Sequence, residues 1–142
     1  RMTPFVEALK KHKLVLLTHA SEPVGHSYPG KGAITPDRLY PFITHYPDIP
    51  LICAHWGGGL PFYALMPEVK RSLGNVFFDT AASPFLYEPR IYRLVAEMVS
   101  DYPLLAQGRA VAELKDADLA DADKNFIFSG NARRLFGMKD VT

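Results

Sequence analysis

The chain alternates short, continuous apolar runs with longer stretches in which apolar residues recur every three or four positions. Leu14 to Thr18, Leu51 to Ala54 and Asn75 to Phe78 are such runs. Their length and near-continuous hydrophobicity predict strands buried on both faces, as in a parallel sheet. Between them lie helical patterns. Thr3 as cap and Pro4 in the first turn predict a helix to Lys13, with Phe5, Val6 and Leu9 on its apolar face. Thr35-Pro36-Asp37 repeats that start, and Leu39, Phe42 and Ile43 supply the face before Pro47 and Pro50 stop the helix. Leu60 to Leu73 reads as a helix bent or restarted at Pro67, with Gly74 placed to end it. Pro89 to Val99, Leu104 to Leu114 and Asp121 to Phe136 read as three more helices. Alternation of this kind predicts an α/β protein with parallel strands joined by helical crossovers.

Polar residues stand where the apolar runs stop. His19 follows the first run, His55 the second and Asp79 the third, while Asp101 opens Ser100-Asp101-Tyr102-Pro103. Imidazoles and carboxylates at the carboxyl ends of parallel strands are the active-site pattern of a (β/α) barrel, in which all such ends open into one mouth. The breaker-rich segment from Ala20 to Ile34 is long enough to suggest a functional loop, and His26, Tyr28 and Lys31 within it are candidate substrate contacts or solvated loop residues. Trp56 either lines a pocket or belongs to the core. Gly57, Gly58 and Gly59 suit a nest for a ligand or a tight turn. Asp79 is suited to orient a neighbour or cap the next turn, and His12 and His45, near helix ends, read as structural.

Composition narrows the class. The chain is 48% hydrophobic and 12% aromatic, as globular proteins are. A net charge of +1, from 16 basic and 15 acidic residues, gives no broad field for nucleic acid or an anionic membrane. No apolar stretch approaches the roughly 20 residues of a membrane helix. The single cysteine, Cys53, sits inside a strand run without a disulfide partner, so a soluble cytoplasmic protein is expected. The run Lys115 to Lys124 reads as a helix boundary, and it lacks the glycine and final glutamate of a calcium loop. A full (β/α)₈ barrel needs about 250 residues. The 142 here suit one domain forming half a barrel.

Five motifs stand in a telling order: Thr18-His19-Ala20, His55-Trp56-Gly57-Gly58-Gly59, Phe78-Asp79-Thr80-Ala81, Ser100-Asp101-Tyr102-Pro103, and Gly130-Asn131-Ala132-Arg133-Arg134-Leu135-Phe136-Gly137. In that order and spacing the chain resembles the amidohydrolase superfamily, in the amidohydrolase-related branch that includes aminocarboxymuconate-semialdehyde decarboxylase. The resemblance implies the carboxy-terminal part of a TIM barrel, roughly strands five to eight. It implies that His19 and Asp101 bind a divalent metal, zinc first and manganese second. It implies that His55 binds a second metal or acts on the substrate, and that Asp101 handles a proton of the attacking water; Trp56 and His26, from their places beside the strand and in the loop, are further candidate substrate contacts. The expected reaction is hydrolysis or decarboxylation of a small carboxylate, amide or lactone, by a homo-oligomer of the complete protein.

Two departures from the family pattern shape the expectation. No His-X-His pair occurs in the chain, so His19 and Asp101 give two metal ligands where a catalytic zinc centre has three, and metal binding by this chain alone is expected to be poor. Asp79 and Asp101 are 22 residues apart, against 36 between His19 and His55, and no separate apolar run precedes Asp101 to mark the eighth strand. The alternative is a half-barrel that binds a ligand or assembles with a partner without catalysis.

Overall fold

The structure, a computed structural model, describes residues 2–98 and 115–138. Three strands, β1 (Leu16–Thr18), β2 (Leu51–Cys53) and β3 (Val76–Phe78), form one parallel sheet in the order β1-β2-β3. Leu16, Leu51 and Val76 lie side by side, and so do Thr18, Cys53 and Phe78. The fold is therefore α/β with a parallel sheet, as the alternating pattern predicts. Each strand is shorter than its apolar run. Leu14 is spent on the end of α1, its N–H donating to Leu9 O, and Leu16 N–H reaches Pro50 O to begin the sheet.

Side chains alternate across the strands, so Leu51, Cys53, Val76 and Phe78 face one way into the main core. There they meet Leu39 and Ile43 of α2 (Pro36–His45), Val69 of α3 (Pro67–Ser72), and Ile91, Tyr92 and Val95 of the helix Ile91–Met98. A smaller cluster joins Val6 and Leu9 of α1 (Thr3–His12) to Ile49. Phe5, expected on that face, is 44% exposed, because α1 docks only through the Val6–Leu9 ridge. Thr3 is the first helical residue rather than the cap, and Met2 flanks it.

The segment expected to be one helix from Leu60 to Leu73 is two. Tight 3₁₀ turns run through Leu65, Met66 is extended, and α3 begins at Pro67. A proline disfavours helical backbone in the residue before it, so Met66 must break the helix that Pro67 restarts. Gly74 does not end α3; Leu73 does, and Gly74 keeps an ordinary backbone. A short helix α4 (Ser83–Leu86) follows β3 and was not foreseen. It precedes α5, the helix Ile91–Met98. Residues 115–116 are helical, and after a break α6 (Asp121–Asn125), a π-helical turn (Phe126–Gly130) and α7 (Asn131–Phe136) follow, so the charged run is a helix boundary. The predicted helix at Leu104 to Leu114 and the motif containing Asp101 lie outside the described residues.

The turn after β2 has unusual geometry. Five successive residues, His55, Trp56, Gly57, Gly58 and Gly59, have φ between 55° and 92°. For His55 and Trp56 this left-handed backbone costs roughly 1–2 kcal/mol each. Burial of the Trp56 side chain, 1% exposed, offsets a strain of that size, since burying a large apolar side chain contributes about 1.5–3 kcal/mol. Gly58 is required twice over. Its φ is +64°, and a Cβ there would collide with the Ser21 carbonyl oxygen. We expect Gly58→Ala to lower unfolding free energy by about 3 kcal/mol in urea denaturation, from strain and overpacking together. Gly74→Ala, with nothing within 4 Å of its added Cβ, should change stability by less than about 1 kcal/mol.

Candidate functional site

The common register brings the polar residues that follow the strands to one level. Thr18, Cys53 and Phe78 pair across the sheet, so His19 and Asp79 leave it side by side with Ala54, and His55 is one residue farther. The left-handed turn then folds His55 back. Its ring centroid lies 5.0 Å from that of His19, edge to face at 73°. Both rings line a cleft of about 580 Å³ whose walls include His26, Tyr28, Phe85 and Leu86. A second, more apolar cavity of about 490 Å³ between Pro23, Pro36, Tyr40, Leu60, Tyr63 and Met66 has no histidine in its lining. The imidazoles make the first cleft the candidate site.

Asp79 organises this end of the sheet. Its Oδ1 accepts the His55 N–H at 2.8 Å and the Ala81 N–H at 3.0 Å, so it both orients a neighbour and caps the next turn. The Asp79 carbonyl also accepts the Trp56 N–H at 3.1 Å. His55 Nδ1 lies 3.0 Å from the Ala81 carbonyl oxygen, which can only accept. Nδ1 therefore carries the proton, and Nε2 is the ring nitrogen left for other chemistry.

His19 is held differently. Its Nε2 is 2.8 Å from Ser21 Oγ, which also accepts the Gly32 N–H at 2.9 Å. Ser21 is fully buried. Its position two residues after a strand-end histidine was the only cue in the sequence that it would matter.

The other expected contacts divide. His26 and Tyr28 line the cleft. Lys31 does not; its Nζ donates to Val24 O at 2.7 Å and His26 O at 3.1 Å and staples the loop. Trp56 is not in the lining but in the core, where Nε1–H donates to Ser83 Oγ at 2.7 Å and the ring meets Tyr92 edge to face at 5.6 Å. Gly57 and Gly58 are buried against Phe78 and Ser21, which is a tight turn and not an exposed nest. His12 and His45 close the last turns of α1 and α2. Phe85 and Leu86 come from the unforeseen α4. Among the described residues no group of three or more His, Cys, Asp or Glu side chains is placed to hold a metal, and Asp101 lies outside them.

The chain belongs to the amidohydrolase family, whose model matches residues 1–138. It resembles the solved 5-carboxyvanillate decarboxylase from Sphingomonas paucimobilis with a TM-score of 0.72 and 16% identity, over 96% of this chain and 53% of that one. For 2,6-dihydroxybenzoate decarboxylase from Rhizobium the values are 0.69 and 17%, over 95% and 55%. For a dihydroxybenzoic acid decarboxylase from Polaromonas sp. JS666, solved with bound manganese and the inhibitor 2-nitroresorcinol, they are 0.70 and 16%, over 97% and 54%. At these identities the likeness establishes the fold, and the chain spans about half the length of each structure. No curated protein sequence matches it.

Below the turn, Cys53 sits fully buried in β2, and burial, then the charge of Asp79, push its thiol up to about 12. A proton held more tightly in the folded state stabilises the fold fully below the ordinary thiol value of 9.0, and that stability is lost as pH rises toward 12. Unfolding free energy should therefore fall above pH 9 by up to about 1.4 kcal/mol per pH unit more in the parent than in Cys53→Ala. Parallel denaturation curves from pH 8 to 10.5 check this; equal slopes would contradict it.

Proposed function

We propose that the chain is the carboxy-terminal part of a metal-dependent (β/α)₈ barrel, roughly strands five to eight, that decarboxylates or hydrolyses a small carboxylate substrate. The observation that carries the proposal is the placement of His19 and His55, 5.0 Å apart, in one cleft at the carboxyl ends of adjacent parallel strands. The donor chemistry fits a divalent cation in kind, since imidazole suits both zinc and manganese. In number it is a partial site, with His19 and Asp101 as ligands and the remainder supplied by the first half of the barrel. A bound cation would supply Lewis acidity toward the substrate's oxygens.

Decarboxylation is the favoured reaction. The cleft walls of Tyr28, Phe85 and Leu86 suit a planar, apolar acid body, and the structures of similar fold include decarboxylases. The chain's own residues have defined parts in it. With Nδ1–H committed to Ala81 O, a protonated His55 has one proton to give, at Nε2. When the bond from carbon to the carboxylate breaks, its electron pair stays on carbon, and that carbon takes the Nε2 proton. The carboxylate leaves as carbon dioxide and His55 is left neutral. In hydrolysis Asp101 would accept the proton of the attacking water. We place the complete protein in the cytoplasm as a homo-oligomer acting on a small molecule.

In the longer protein, His55→Ala should lower turnover by about 10²–10⁴-fold with its metal content unchanged. His19→Ala should lower turnover and metal content together. Carbon dioxide release and elemental analysis measure both; near-parental rates in either variant would remove the corresponding role.

A further inference from the structure

The loop between Ala20 and Ile34 closes on itself. Ser21 N–H donates to Ile34 O at 2.8 Å, and Gly32 N–H donates to Ser21 Oγ. A segment with ends joined in this way is a compact Ω-loop. It leans on the site, because a Cβ on Gly32 would lie 3.2 Å from the His19 ring.

One carboxylate ties this loop to the segment after α4. Glu22 Oε2 accepts from Tyr28 Oη in the same loop at 3.1 Å, and Oε1 accepts from Tyr87 Oη, just beyond α4, at 2.6 Å. Burial, foremost, raises both phenols above their ordinary range, so both remain donors. Hydrogen bonds from phenols to a carboxylate are of the stronger, charge-assisted kind. Tyr87 follows the segment that contributes Ala82, Phe85 and Leu86 to the cleft, and Tyr28 lines the same cleft. Its hydroxyl is committed to Glu22, Lys31 Nζ stands 5.7 Å over its ring and the His26 ring lies 5.7 Å away, and the ring surface that remains lines the cleft.

We infer that Glu22 is a positioning residue that clamps Tyr87 to the 20–34 loop, and that it thereby holds the Tyr28 ring as a selective wall for planar acids. The selectivity rests on the ligand-binding role of the cleft proposed above; the clamp does not. Breaking either long-range partner should release the same loop. Hydrogen exchange of amides 24–32 in the 142-residue chain should quicken about tenfold in Glu22→Ala and in Tyr87→Phe, with strand amides unchanged, and the double variant should go no faster than Glu22→Ala. Glu22→Gln, which keeps one carbonyl acceptor, should fall between. Unchanged exchange in the conservative Tyr87→Phe, or additive effects in the double variant, would overturn the clamp.

The second readout is the ratio of benzoate to cyclohexanecarboxylate affinity, followed by chemical-shift titration. The parent should favour the planar acid about fivefold, as an aromatic contact provides. Glu22→Ala, Tyr87→Phe and Tyr28→Ala should each bring the ratio near one. A ratio unchanged in Glu22→Ala but lost in Tyr28→Ala would overturn the positioning role. Absence of benzoate binding in the parent would remove both the proposed ligand class and the selective wall, and the exchange result would still decide the clamp.

Discussion

The two hydrogen bonds to Asp79 Oδ1 are the constraint on which the rest of the site depends. One comes from His55 N–H and the other from Ala81 N–H, so a single carboxylate at the end of β3 ties the turn after β2 to the turn after β3. The turn after β2 needs that hold, because His55 and Trp56 adopt a left-handed backbone that an L-residue otherwise avoids. Once held, it sends Trp56 down into the core and His55 up toward His19. The same link brings Ala81 O within reach of His55 Nδ1, which selects the nitrogen left free. Strain, tautomer and ring placement thus follow from one side chain.

Much of this was legible in the chain. Leu51 to Ala54 and Val76 to Phe78 are apolar throughout because their strands are buried on both faces, and that continuity marks them without any structure. Their shared register then places His19 and Asp79 together, so the strand-end pattern carried real positional information. Asp79 as an orienting and capping residue was equally readable from its place. What could not be read depended on contacts between distant segments. Tyr87 lies 65 residues from Glu22, and no local pattern links them. Trp56 had two open readings, and the left-handed turn, which only tertiary contacts enforce, decided for the core. The break at Met66 is signalled by Pro67, whereas α3 is capped at Leu73, one residue before the glycine, which keeps an ordinary backbone.

As a member of the amidohydrolase family that spans about half of each solved structure it resembles, the chain has the mouth of its sheet as its chemically furnished end. The helix-facing side of the sheet is a packed core of ordinary apolar residues. Imidazoles, the buried Ser21 and the Glu22–tyrosine contacts are gathered instead where the strands stop. This division between an apolar body and a polar rim lets short strands of three residues present the candidate site: the rim loops brace one another through Asp79, Ser21 and Glu22.

The most direct test of the account is a manganese titration of the histidine ring signals by NMR. Paramagnetic broadening needs no tight binding, so the 142-residue chain suffices. The account predicts that millimolar manganese broadens His19 and His55 first and together, while His12 and His45, on the ends of α1 and α2, stay sharp. Equal broadening of all five histidines, or broadening of His19 without His55, would contradict a shared metal-directed cleft.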